Sequence, residues 1–264
     1  MKNIGIYLHI PFCKSKCPYC DFYSFSGKNT EKDEYTKSLK DRILRISTLQ
    51  RKGDTLYIGG GTPSVLGAEN LKTLVDTCKK DFLTDGAEIT VECNPHGLNE
   101  DFFKTLYSCG VNRISMGLQS AVDSERRILG RLSDRNQVEN AVKMAQKVGF
   151  SNITLDVMLG IPNQTEKSLN ETLDFCISLG VPHISAYMLK LEENTHFYKN
   201  QEKYNFPDDD LTADMYLQMC ETLHSNGIMQ YEISNFSKNG QRHTHPASFG
   251  TFHLQARGHH EDAH

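Results

Sequence analysis

Three short stretches of this chain repeat one pattern. Gly110 begins GVNRIS, Gly149 begins GFSNIT and Gly180 begins GVPHIS. Each runs from a glycine through an apolar residue and two polar or turn-forming residues into an apolar segment. Glycine reaches the left-handed conformation that closes a helix, so each stretch predicts a helix ending and a strand beginning. Helical periodicity fits this reading. Leu71, Leu74, Val75 and Cys78 share one face, Val138, Ala141, Val142, Ala145 and Val148 another, and Leu169, Leu173 and Cys176 a third. Asn99 before EDFFKTL and Thr165 before EKSLNETL carry the side chains that start helices.

The strands expected between these helices are short and apolar: IGIYLHI, TLYIG, EITVEC, RISMGLQ, NITLDVML and HISAYML. Strand and helix alternate about six times, which requires parallel strands joined by crossovers. The expected fold is α/β, a partial TIM-like (β/α)6 barrel. In such a sheet the chemistry sits at the carboxyl ends of the strands. The expected organisation is one core over residues 1–235 and a divergent histidine-rich tail over 236–264.

A chain of 264 residues accommodates one such core. The formal charge of −4 gives no bulk argument for nucleic acid or an anionic membrane as partner. The opening MKNIGIYLHI is too short and polar for a secretory signal, and no run is long and apolar enough to span a bilayer. The eight cysteines are therefore expected as reduced thiols in a cytosol.

Three of them stand in PFCKSKCPYC: Cys13, Cys17 and Cys20. The stretch directly follows the first expected strand, so it falls at the mouth of the barrel. It is polar and turn-rich, unlike a core segment. Three thiolates at this spacing can converge on one metal centre. Tetrahedral zinc needs a fourth ligand, for which His9 is the nearest candidate. A 4Fe–4S cluster held by three protein ligands keeps one iron open to an outside chelator. The other five cysteines, Cys78, Cys93, Cys109, Cys176 and Cys220, read as packing residues, since a free thiol behaves as a small hydrophobe.

The spacing C-x3-C-x2-C, with Tyr19 before the last cysteine, resembles the signature of the radical S-adenosylmethionine superfamily. YLHIPFC, CPYCDF, YIGGGTPS, VECNP, GVNRISMGLQS, LGR, LDVMLGIPNQT and YEISNFSKNG narrow the resemblance to oxygen-independent coproporphyrinogen III oxidase-like proteins, and within them to the haem chaperone branch. The oxidases carry a further cysteine two residues after the third ligand, where this chain has Phe22. They also carry a longer segment before the first strand.

The resemblance implies a 4Fe–4S cluster on Cys13, Cys17 and Cys20, with the amino and carboxylate groups of S-adenosylmethionine on the open iron. It assigns the cofactor pocket to Tyr7, Tyr19, Gly60, Gly61, Thr62, Glu92, Gln119, Arg131 and Asp156. Taken alone, several of these have ordinary readings. Gly59–Gly61 is either a flexible turn or a place of close backbone approach. Glu92 is either a solvated strand end or a group facing the mouth. Arg131 is not distinguishable by periodicity from its neighbours in RRILGRLSDR. Asp156 interrupts an apolar strand and must face a polar interior or a partner, because an unpaired buried carboxylate is costly.

The implied function is haem-chaperone-like: binding of haem and its transfer to an acceptor of unknown identity, with a reductant such as flavodoxin or ferredoxin. Catalytic turnover is left open, the alternative being oxidative decarboxylation of coproporphyrinogen propionates or another radical reaction on a tetrapyrrole. After YEISNFSKNGQRH the chain departs from the family pattern. His243 is followed by Thr244, His245 and Pro246, the chain contains no tryptophan, and the family's further domain is expected to be missing. From His243 onward lie six of the eleven histidines, with no helical or strand period, so this tail is expected to be solvated and disordered.

Overall fold

A computed structural model describes residues 4–46, 52–238 and 251–255. Six strands, β1 (Ile4–Ile10), β2 (Gly53–Gly60), β3 (Leu83–Cys93), β4 (Arg113–Gln119), β5 (Ile153–Leu159) and β6 (His183–Met188), pair in parallel in chain order. Between them run α1 (Asn29–Ile46), α2 (Ala68–Asp81), α3 (Glu100–Cys109), α4 (Asp123–Ile128), α5 (Arg135–Val148) and α6 (Glu166–Ser178). The parallel α/β architecture expected from the sequence is the one observed.

The expected punctuation is present. Asn99 accepts the Phe102 amide and caps α3, and Thr165 accepts the Ser168 amide and caps α6. Gly110, Gly149 and Gly180 all have positive φ, at 98°, 121° and 66°. The Gly110 amide closes α3 onto the Leu106 and Tyr107 carbonyls.

The sheet has two faces of different chemistry. Leu8, Ile10, Ile58, Val91, Ile114, Leu118, Leu155 and Val157 are buried against the helices. Each such side chain stabilises the fold by about 1.5–3 kcal/mol on burial. The alternate positions form a polar trough: Tyr57 on β2, Glu92 on β3, Ser115 on β4, Asp156 on β5 and Ser185 on β6. Register brings Glu92 beside Ser115, and Asp156 between Gly117 and Ser185.

The full strand order is β7-β8-β6-β5-β4-β3-β2-β1-β9 among the described residues. After β6 come α7 (His196–Lys199) and α8 (Asp209–Ser225), then a hairpin of β7 (Ile228–Glu232) and β8 (Asn235–Lys238). β8 runs antiparallel to β6, and β7 antiparallel to β8. At the other edge β9 (Thr251–Leu254) runs parallel to β1, from Gly5 opposite Thr251 to Leu8 opposite Leu254. This corrects the expectation of disorder for that part of the tail. Four residues are too few to show a period, and it is the open edge of β1 that makes them a strand. His243 to Pro246 lie outside the described residues. No helix among the described residues is long and apolar enough to cross a membrane.

Candidate cluster and cofactor site

The cysteine loop begins where β1 ends. The Cys13 amide donates to the Phe25 carbonyl at 2.9 Å and the Phe25 amide to the Pro11 carbonyl at 2.8 Å, closing the loop at its base. Phe12 anchors that base in the core, edge-on to Phe25 and Tyr35 at 5.1 and 5.3 Å. Within the loop the Cys20 amide turns back onto the Cys17 carbonyl at 3.1 Å. All three thiols are half-buried and free. Burial pushes the Cys20 thiol up, and the nearby Cys17 and Cys13 add to that against Lys16 and a backbone hydrogen bond. Among the described residues, no three His, Cys, Asp or Glu side chains already stand as a metal-holding group.

His9, the zinc candidate, is engaged elsewhere. Its Nδ1 lies 3.4 Å from the Tyr7 hydroxyl and its Nε2 3.3 Å from the Tyr23 carbonyl. The loop thus offers three sulfur donors and no fourth from this histidine, the donor set of a cluster with one open iron.

The end of β2 lies against the loop. The Gly61 amide donates to the Ile10 carbonyl and the Thr62 amide to the Phe12 carbonyl, both at 2.7 Å. The Thr62 hydroxyl sits 3.5 Å from Cys13 Sγ. A Cβ on Gly61 would meet the Phe12 carbonyl oxygen at 2.7 Å, and one on Gly60, where φ is 116°, the His9 ring at 2.6 Å. Close backbone approach, rather than turn flexibility alone, accounts for these glycines.

Below the glycines the Glu92 carboxylate accepts from the Tyr57 hydroxyl at 2.6 Å and from the Gly60 amide at 3.2 Å. Burial raises its pKa to about 6, against the pull of those two hydrogen bonds. Asp156 accepts from Ser115 Oγ at 3.2 Å. Burial and then the neighbouring Glu92 raise its pKa to about 7, opposed by Ser115, Arg131 and Arg113. Two carboxylates sharing a half-buried trough each resist ionisation, and a cationic ligand between them would reverse that. The Tyr7 ring stacks on Tyr57 with centroids 6.0 Å apart.

Gln119 sits at a register shift between β4 and β5 with φ of 69°. Its Oε1 is buried and, among the described residues, has no partner. Arg131 donates from Nη2 to the Gly117 carbonyl at 2.7 Å, while its Nε is buried without a partner among the described residues. Arg131 also faces Tyr19 and Cys17. An orphan acceptor and an orphan donor on either side of Gly117 are what a zwitterionic ligand would satisfy. The nine residues named from the sequence are thus found on the cysteine loop, at the ends of the strands and along the trough.

Sequence reasoning missed three contributors. Tyr57 and Ser115 hold the two carboxylates, and the signal was available: both are polar residues two positions from a glycine on a strand. Arg126 is the other. Fully buried, it donates to the carbonyls of Leu118, Ser120 and Ser133 and fixes the loop from Gln119 to Arg131. Burial lowers its pKa to about 10. Cys78, Cys93, Cys109 and Cys176 are buried in the main core, and Cys220 packs against it half-buried, as a packing role requires.

A parallel sheet with a three-cysteine loop at its carboxyl end defines a class. The chain belongs to the radical SAM superfamily, whose family model matches residues 7–176. Its curated relatives narrow this to the HemW-like branch. It is 37% identical over 251 residues to "Heme chaperone HemW" of Bacillus subtilis, covering 92% of this chain and 66% of the relative. It is 38% identical over 257 residues to the protein of that name from Haemophilus influenzae, covering 94% and 67%. A solved structure of coproporphyrinogen III oxidase (HemN) from Escherichia coli, described as a radical SAM enzyme, matches with a TM-score of 0.83. Identity is 25%, over 90% of this chain and 56% of that one. The chain thus spans about two-thirds of the length of the haem chaperones it matches. The expected 4Fe–4S cluster and S-adenosylmethionine go with membership of this superfamily.

Proposed function

We propose that this chain holds a 4Fe–4S cluster on Cys13, Cys17 and Cys20, binds S-adenosylmethionine in the trough, and serves the binding of haem and its transfer to an acceptor. The observation that carries the reading is the joining of the three-cysteine loop to Gly61 and Thr62 above the Glu92–Asp156 trough. Loading the loop requires the thiols to lose their protons, so cluster assembly should release protons. When bound and reduced, the cluster supplies a single electron to the sulfonium.

The remaining work falls to side chains. Arg131 pairs its fork of donors with the methionine carboxylate. Glu92, oriented by Tyr57 and Gly60, and Asp156, oriented by Ser115, accept from the donor groups of the cofactor. Gln119 supplies an acceptor from the β4 end. Tyr7 and the backbone of Tyr19 bound the pocket. The superfamily's reductants, flavodoxin or ferredoxin, are the class of electron donor this arrangement needs. Free thiols throughout fit a cytosolic location.

Anaerobic reconstitution tests the reading. Iron and sulfide should be incorporated, the spectrum should change on adding S-adenosylmethionine, and haem should then bind. Protein that takes up the cluster yet leaves haem unbound would sink the chaperone assignment. The structural match to the oxidase supports a second reading, decarboxylation of coproporphyrinogen III. Phe22, which stands where the oxidases have a cysteine, opposes it. Reduced protein incubated with coproporphyrinogen and cofactor should yield no protoporphyrinogen.

A further inference from the structure

Residues 195–206 read THFYKNQEKYNF, with aromatic residues at Phe197, Tyr198, Tyr204 and Phe206. Thr195 caps the single turn of α7 by accepting the Tyr198 amide at 3.2 Å. The first amides of a helix have no partner inside it. Here the Phe197 amide finds one in the cysteine loop, donating to the Pro18 carbonyl at 3.0 Å. The far end is tied as well: the Asn205 carbonyl accepts the Asn163 amide at 2.8 Å, from the loop after β5. The segment is a strap fastened at both ends across the mouth.

Its underside is aromatic. Phe197 is fully buried, with Tyr204 and Phe206 at centroid distances of 4.7 and 5.6 Å and Tyr19 at 6.5 Å. With Leu129, Met158 and Ile161 it forms a small core separate from the main one. On the opposite side Pro18 is approached by Gly130, where an added Cβ would meet Pro18 Cδ at 3.0 Å. Pro18 and Tyr19 lie between Cys17 and Cys20. Their two contacts grip the middle of a loop whose base is already fixed by Phe25.

We propose that Phe197 is a positioning residue for the cluster: its ring, packed beside Tyr19 on a strap that its amide ties to Pro18, sets the direction of the Cys17 and Cys20 thiols. This rests on the reading that the loop binds a cluster. A loop pinned only at its base would leave its middle free to rearrange. Residues that hold ligands in place typically govern metal retention by about 10–100-fold.

The test compares Phe197→Ala and Phe197→Leu with Phe103→Ala, a fully buried phenylalanine on α3 in the main core. Each protein is reconstituted anaerobically. Iron loss to a chelator is then timed, and the reduced cluster is examined by electron paramagnetic resonance. Phe197→Ala should lose iron about tenfold faster than wild type, with a broadened signal. Phe197→Leu should restore most of both. Phe103→Ala should lower the melting temperature but keep wild-type iron retention and signal. Equal behaviour of Phe197→Ala and Phe103→Ala, or of Phe197→Ala and wild type, overturns the role of Phe197 alone. Wild-type protein that takes up no iron and sulfide overturns the cluster reading itself. If the alanine variants do not fold, Phe197→Val, which shortens the side chain away from Tyr19, against Phe103→Val decides between the same outcomes.

Discussion

Arg131 reaches back across its loop to donate to the Gly117 carbonyl, and the glycine leaves room for the guanidinium beside it. A Cβ there would meet Arg131 Nη2 at 2.9 Å. Gly117→Ala should therefore displace the guanidinium, and Arg131→Lys should remove its fork. Hydrogen bonds to charged groups contribute about 1.5–3 kcal/mol, so S-adenosylmethionine affinity should fall by about 10–100-fold in either variant. Calorimetric titration of the reconstituted proteins reads this, with iron content unchanged.

Cys17→Ala leaves two thiolates in the loop. Stable incorporation of iron and sulfide should be lost, as measured by elemental and sulfide analysis. Cys220→Ala, which alters a half-buried packing thiol on α8, should take up as much iron as wild type.

The two trough carboxylates make stability depend on pH. Asp156, raised to about 7, and Glu92, raised to about 6, bind protons more tightly in the folded chain than in the unfolded one. Their contribution is therefore most favourable at low pH and declines as pH climbs from about 4 to 7. In the cofactor-free protein Asp156→Asn should be more stable than wild type at pH 8, on the order of 4 kcal/mol, with the gap closing toward pH 4. Urea unfolding at a series of pH values measures it. A gap between Asp156→Asn and wild type that fails to widen as pH rises through this range would contradict the burial of the pair.

Arg126→Met strips donors from the Leu118, Ser120 and Ser133 carbonyls in a buried loop. About 3 kcal/mol of stability should be lost. Arg127→Met, one residue along and exposed, should stay within about 0.5 kcal/mol. Chemical denaturation of both separates the two arginines.

That contrast also marks where sequence reading stops. β1 to β6 were legible because each carries apolar residues at the alternate positions that the helices cover. Helix limits were legible because Asn99, Thr165 and the junction glycines each have a local reason to be there. Asp156 stood out because a carboxylate in ITLDVML needs a cause. Tyr57 carried a weaker mark, the glycine two positions on, because tyrosine is otherwise an ordinary strand residue until its hydroxyl is seen on Glu92. Arg126 and Arg131 occupy one polar run. What separates them is the turn at Gly130, with φ of 68°, which returns the chain over the trough. β7, β8 and β9 escaped because each is defined by the edge it joins. The strap escaped because its four aromatics follow no single period.

The reversal of direction at β8 has its own consequence. A parallel sheet curls shut by adding strands in one sense, and β8 ends that series beside β6. The interior is left as a gutter rather than a tube. Among the described residues the two edges, β7 and β9, stay unjoined, so the gutter opens along its side as well as at the sulfur-bearing lip.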